Sequence, residues 1–291
     1  MFDAISPSDA EAAGDRAPRS PRWSDGAAEA AFEVRAGESR LAHLYQSDPC
    51  RILFPRVATG APPEAVIVTT SGGIVGGDRL RFALSAGPDS AVTYTTQAAE
   101  KVYRSAGQDS EIDIHVRAGD GAFLEWMPQE TILFDGARLR RRSHVEISGS
   151  ARVLTGEIIV FGRRARGEVF SRGLIHDAWR IYRDGTLAWA DALHLDGETA
   201  DDFANPHAFA GASAMAMLIY AGPDAEERHP EMRDLLGDAP GAAATRIGDL
   251  VVARFLDADA AALRRRFATL WKNFRHAATG YPARLPRVWD V

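Results

Sequence analysis

The chain carries a single cysteine, Cys50, among 291 residues. One thiol cannot form an intramolecular disulfide, and no Cys-x-x-Cys zinc site exists, which fits a reducing cytoplasm. Long apolar runs are also missing. No stretch of about 18 apolar residues occurs, so no membrane-spanning helix is expected. Residues 1–26 are rich in Ala, Pro, Ser and Asp. They lack the apolar core of roughly 7–15 residues that a signal peptide needs. They read as a disordered tail ahead of a single domain over 27–291. A positive balance is absent too: the formal net charge is −6, which argues against general nucleic-acid affinity although arginines cluster locally.

The common catalytic signatures are absent as well. The glycine-rich stretch 72–77 runs into Asp78, where a phosphate-binding Walker loop needs a lysine. It lacks the spacing of a dinucleotide-binding turn, and the alternating Leu80, Phe82 and Leu84 announce a strand, not the helix that would receive a pyrophosphate. Ser71 stands outside any Gly-x-Ser-x-Gly elbow. The eight histidines form no His-x-His or His-x-x-x-His pair, so a preformed transition-metal site of the usual kind is unsupported.

What is present is enough apolar sequence for a large core, 46% of residues, cut into short alternating segments separated by Gly, Pro, Asp or Ser. Such segments read as strands, and the chain as mainly β. Residues 111–117 place Ile112, Ile114 and Val116 on one face and His115 on the solvated one. Asp184-Gly185 predicts a type I′ hairpin between the strands of Trp179 and Trp189. Residues 138–147, with four arginines, read as an exposed, charge-protected edge strand or a partner surface. Residues 209–220 read as a strand by alternation of Met215, Met217 and Ile219 with small residues. Two helices are expected in the C-terminal third. One spans 224–236 despite Pro230. The other carries Leu263, Phe267, Leu270, Trp271 and Phe274 on one face behind a cap at Asp257 or Asp259, and Gly280 ends it. Trp271, Phe274 and the terminal Trp289 are expected to leave apolar surface exposed for a partner. No internal repeat is visible.

Acids embedded in apolar stretches remain to be explained: Glu125, Glu130, Asp135, Glu157 and Glu168. A buried carboxylate costs several kcal/mol unless it is paired or bound, so each needs an arginine, a polar cavity or a cation. Glu125 and Glu130 also form the pair on which a β-rich hydrolase would rely for acid and base.

Three blocks in order resemble the urease accessory protein D family. They are 71–80, Ser-Gly-Gly-Ile-Val-Gly-Gly-Asp-Arg-Leu; 95–105, Thr-Thr-Gln-Ala-Ala-Glu-Lys-Val-Tyr-Arg-Ser; and 124–139, Leu-Glu-Trp-Met-Pro-Gln-Glu-Thr-Ile-Leu-Phe-Asp-Gly-Ala-Arg-Leu. A fourth, Gly-Glu-Ile-Ile-Val-Phe-Gly-Arg-Arg at 156–164 with Gly167 and Glu168, supports them. Family members commonly open the first block with Pro-Pro-Gly-Gly or His-Pro-Gly-Gly, where this chain has Thr70-Ser71-Gly72-Gly73. The resemblance implies a large domain of stacked, helically arranged sheets and a non-enzymatic role. That role is a scaffold between urease apoprotein and accessory protein F, which recruits a nickel-carrying GTPase, accessory protein G. No tightly bound cofactor is implied, only transient Ni2+ in an internal, water-filled passage. On that reading Asp78, Glu130, Glu157 and Glu168 are candidate stations for the metal. Gly72, Gly73, Gly76, Gly77, Trp126 and Pro128 are candidate structural residues, and Gln97, Lys101 and Tyr103 either line the passage or fix the sheet edge. A passive interaction module that never touches nickel is the remaining alternative.

Overall fold

The computed structural model describes residues 23–238 and 240–290. A hairpin of β1 (Asp25–Arg35) and β2 (Glu38–Ser47) leads to β3 (Cys50–Leu53). The chain then coils through β4 (Glu64–Thr69), β5 (Arg79–Ala86), β6 (Ala91–Gln97), β7 (Glu100–Val102), β8 (Ser110–Ala118), β9 (Phe123–Met127), β10 (Thr131–Leu133), β11 (Arg138–Ile147), β12 (Arg152–Phe161) and β13 (Arg172–Arg183). It ends in β14 (Thr186–Glu198), a short α1 (Ala200–Ala204), β15 (Ala214–Ala221), α2 (Ala225–Leu236), β16 (Ala242–Ile247), β17 (Leu250–Asp257) and α3 (Ala260–Thr279). Asp25 and Gly26, expected in the tail, already belong to β1, and residues 1–22 lie outside the described residues.

Successive strands of the coil fall alternately into two sheets. The seven-stranded sheet runs β14-β13-β11-β8-β5-β1-β2, and the ten-stranded sheet runs β16-β17-β15-β12-β9-β6-β4-β3, with β10 attached to β12 and β7 to β10. Each coil crosses through the opposite sheet before returning, so β5, β8, β11 and β13 are mutually parallel, as are β4, β6, β9 and β12. The result is a solenoid-like stack, as the resemblance implies. Its coils have unequal lengths, which is why no repeat is legible in the sequence.

Alternation fixes what each face meets. Leu80, Phe82 and Leu84 of β5 and Ile112, Ile114 and Val116 of β8 point into a core shared with Val153, Ile159 and Phe161 of β12. The opposite face of the ten-stranded sheet, with Phe123, Leu154, Ile158 and Leu218, is covered by α2 and α3. The molecule is therefore three layers: sheet, sheet, helices.

Several sequence expectations hold here. The turn at Asp184 (φ 49°) and Gly185 (φ 78°) joins β13 to β14. The alternating methionines form β15. In α3, Asp259 accepts hydrogen bonds from the N–H groups of Ala261 and Ala262, satisfying donors that a helix start otherwise leaves unpaired.

The 138–147 strand is a correction. It does form, as β11, but it lies between β8 and β13 in the middle of its sheet. Its outward arginines are neutralised across the strands instead of guarding an edge. Arg142 pairs with Asp113 and with Glu111 at 3.1 Å, and Arg138 and Arg140 share Asp109 at 2.6 and 2.5 Å.

The exposed aromatic surface is a second correction. Trp271 and Phe274 are 0% exposed and Trp289 2%. All three close the core between the ten-stranded sheet and α3, and the Trp289 ring meets those of Phe267 and Trp271 at 6.2 and 5.2 Å. The second face of a sheet buried on both sides needs its own cover, and this chain supplies it.

Candidate functional site

Backbone contacts bring the first three motif blocks together along one side of the coil, where they connect successive strands of the two sheets. Ile74 N–H donates to the Lys101 carbonyl (2.8 Å), and Tyr103 N–H returns a bond to the Ile74 carbonyl (2.9 Å). Glu100 N–H donates to the Glu130 carbonyl (2.7 Å), and Ser105 N–H to that of Gly136 (3.0 Å). The glycines are there because the two segments touch. At Gly73 (φ +135°) a Cβ would lie 2.6 Å from Tyr103 Cε2 and 2.7 Å from the Lys101 carbonyl, and at Gly76 it would overlap Ser105 and the Gln108 carbonyl. Gly77 packs as closely against Trp23, while Gly72 only needs its positive φ of 75°. The Tyr103 hydroxyl donates to the Gly72 carbonyl at 3.1 Å. Ser71 closes the turn with a bond from its hydroxyl to the Gly73 carbonyl (2.8 Å). Lys101 and Gln97 are exposed, and Pro128 ends β9.

Asp78 is buried but satisfied by main chain: Ser24 N–H donates to it at 2.7 Å and Val75 N–H at 2.9 Å. Beside it, burial pushes the Glu100 carboxyl up to about 7, with Asp78 adding to the rise and a Thr69 hydrogen bond and Lys101 opposing it. Cys50 nearby is pushed up to about 12, by burial first and Glu100 second, so its thiol is inert.

Glu157 lies in a different place, on the inner face of β12 between the two sheets. It meets Arg141 of β11 and Asp177 of β13, register neighbours on one rung of the facing sheet. Arg141 bonds Asp177 through Nε at 3.1 Å, donates to Thr131 Oγ1 at 2.9 Å, and spans both carboxylates through Nη2. Trp179 Nε1 donates to Glu157 at 3.1 Å. Burial, then the Asp177 charge, hold Glu157 well above the usual carboxylate range, against the pull of Arg141. Burial works against the Arg141 charge, but Asp177 and Glu157 outweigh it and raise its pKa. Three further polar atoms between the sheets, Trp126 Nε1, Ser143 Oγ and Thr155 Oγ1, are buried without a hydrogen-bond partner. They are close to the cluster by register: Ser143 is two residues beyond Arg141, Thr155 two before Glu157, and Trp126 pairs with Thr155.

The remaining acids do not converge on this cluster. Glu130 pairs with Arg264 of α3 at 2.5 Å, on the helix side of the ten-stranded sheet, where it shares an open hollow of about 540 Å³ with Gln97. Glu125, also on that side, accepts from Thr93 Oγ1 (2.5 Å), Trp271 Nε1 (2.8 Å) and Arg275 Nη1 (3.2 Å). The two carboxylates of the hydrolase reading are thus bound to different arginines. Glu168 sits at the surface, held below the usual carboxylate range by the Arg163 guanidinium, and accepts the Asp135 N–H. Among the described residues, no group of three or more His, Cys, Asp and Glu side chains is arranged to hold a metal ion.

The sequence reading missed Arg141 and Asp177. Both were legible in principle: Arg141 alternates with Leu139, Val145 and Ile147, and Asp177 with Ile175 and Trp179, which puts each on an inward face.

The family model described as "UreD urease accessory protein" matches residues 24–290. A protein named Urease accessory protein UreD from Magnetococcus marinus is 46% identical over 266 residues, covering 89% of this chain and 92% of its own length. One of the same name from a Methylobacterium species is 43% identical over 280 residues, covering 94% and 97%. A third, from a Chelativorans species, is 39% identical over 259 residues, covering 89% and 91%. Since the match runs from the first described strand through the C-terminal Trp289, and the blocks that it includes are those the coil brings into contact, this chain belongs to the UreD urease accessory protein family.

Proposed function

We propose that this protein is a non-enzymatic maturation factor for urease in the cytoplasm. It bridges urease apoprotein and accessory protein F, with the GTPase accessory protein G joining through F, and it lets nickel, as cargo, move between its two sheets past Glu157 and Asp177. The name shared by its relatives supports the urease part of this reading. The observation that carries the passage is the inter-sheet cluster: two carboxylates against one guanidinium, with three partnerless polar atoms alongside. Buried polar atoms are nearly always hydrogen-bonded, and internal water is the usual partner when the protein offers none. A hydrated interior with an excess carboxylate suits a divalent cation in transit. Oxygen ligands alone hold such an ion loosely, which favours passage over storage. The metal role then belongs first to Glu157. Asp78, Glu130 and Glu168 are held by main chain or arginines and stand apart from the unpartnered polar atoms beside Glu157.

The first test is size-exclusion chromatography with light scattering on mixtures with nickel-free urease and with accessory protein F. Stable complexes with both are expected, and a folded protein that binds neither would overturn the bridging role. The passage is then tested with Glu157→Gln and Asp177→Asn. Both variants should still form the complexes but release less nickel into urease, whereas full activation by both would favour the passive module.

A further inference from the structure

A separate charged cavity lies where the segment after α3 folds back against the 54–63 loop. It has a volume of about 250 Å³, and its polar lining is Arg56, Glu64, Thr93, Arg275, Arg284 and Arg287. Arg275 is 5% exposed and forms the inner end. Its Nη1 reaches Glu125, and its Nη2 bonds the carbonyls of Pro282 (2.6 Å) and Arg284, but its Nε is buried without a partner. Arg56, Arg284 and Arg287 are exposed at the mouth, and none of them forms an ion pair among the described residues. With Glu64 and Glu125 both ionised, four guanidinium groups still leave two positive charges here, in a chain whose net charge is −6. Pro55, Val57, Pro62, Pro282 and Leu285 make up much of the wall. Apolar walls lower the local dielectric and strengthen any charge pairing inside.

We infer that this cavity binds a small, doubly charged oxyanion of the phosphate or sulfate class. Guanidinium forks match the geometry of tetrahedral oxyanions and give charge-assisted bonds roughly twice as strong as neutral ones. The anion is met by Arg56, Arg284 and Arg287, whose guanidinium groups form no ion pair among the described residues, and the volume admits it with part of its hydration shell. Glu64 is the opposing charge in the same space. Because Arg284 and Arg287 belong to the segment that carries Trp289 and Arg56 to the 54–63 loop, a bound anion fastens the two together. This inference stands apart from the urease reading and does not depend on it.

The test is thermal unfolding and calorimetric titration of the full chain with inorganic phosphate and with sulfate, against sodium chloride at matched ionic strength. Saturable binding with a rise in Tm is expected. The double variant Arg284→Gln/Arg287→Gln should weaken it about tenfold or more, whereas Glu64→Gln, which removes the opposing charge, should tighten it. Both changes are at or near the surface and spare the Arg275 scaffold. A Tm rise matched by sodium chloride, or affinity unchanged in the double variant, would overturn the site. So would binding only at tens of millimolar or above, the sign of an adventitious ion.

Discussion

Two buried ion clusters lie on opposite faces of the ten-stranded sheet, and they are built differently. On the helix side, Glu125 faces one arginine and takes two further donors, Thr93 and Trp271. That carboxylate is saturated and ties α3 to the sheet. Between the sheets, Arg141 faces two carboxylates, burial raises the Glu157 pKa, and neighbouring polar atoms lack partners. A carboxylate matched by one arginine and two further donors is what anchoring requires. One with an excess acid and unpaired neighbours is the feature on which the proposed passage rests. The two clusters should therefore answer mutation in opposite ways.

The largest effect is expected from Glu125→Ala, which leaves the buried Arg275 charge uncompensated. Loss of about 3–5 kcal/mol in urea unfolding is expected, with loosening of α3, and a change below about 1 kcal/mol would show that the cluster is not an anchor. Trp289→Ala should come next, at about 3 kcal/mol, since it empties a site enclosed by Phe267 and Trp271. A near-neutral result there would mean that the C-terminal segment is not part of the core.

Glu100→Gln gives a smaller, pH-dependent change. Burial raises its carboxyl from the ordinary 4.5 to about 7. Below pH 4.5 folded and unfolded chains both hold the proton. Between the two values the unfolded chain has released it and the folded chain has not, so stability falls as pH rises, and the penalty is complete above about 7. The Gln variant escapes this fall. Its Tm should match the parent at pH 4 and exceed it at pH 8, and equal values at both would refute the assignment.

The smallest stability change, under about 1 kcal/mol at neutral pH, is expected for Glu157→Gln. Burial and the Asp177 charge already work against its ionised form, Gln keeps its shape, and Asp177 still balances Arg141. A loss as large as that of Glu125→Ala would erase the contrast between the clusters.

Much of this was legible in the sequence. Strands followed from period-two alternation, α3 from the spacing of Leu263, Phe267, Leu270, Trp271 and Phe274, and the hairpin from Asp184-Gly185. The glycines of 72–77 announced a close backbone approach but not that the other side would be Lys101, Tyr103 and Ser105. Arg141 looked like one more arginine on a charged edge, because alternation tells which residues share a face and not which face is buried. Similarly, Trp271, Phe274 and Trp289 were evidently apolar and clustered, but whether a partner or this chain's own sheet covers them depends on where the helix lands.

The sequence by itself determined the elements and their faces, since those depend on residue spacing of 2 and 3.6 along a local backbone. It also determined the family, through motif blocks that are local strings. Only the tertiary structure decided which acids meet which arginines. Glu157 and Asp177 are brought to Arg141 by a coil whose turns differ in length, and Glu125 is brought to Arg275 across 150 residues. Such pairings are set by register and layer order, which are properties of the whole chain.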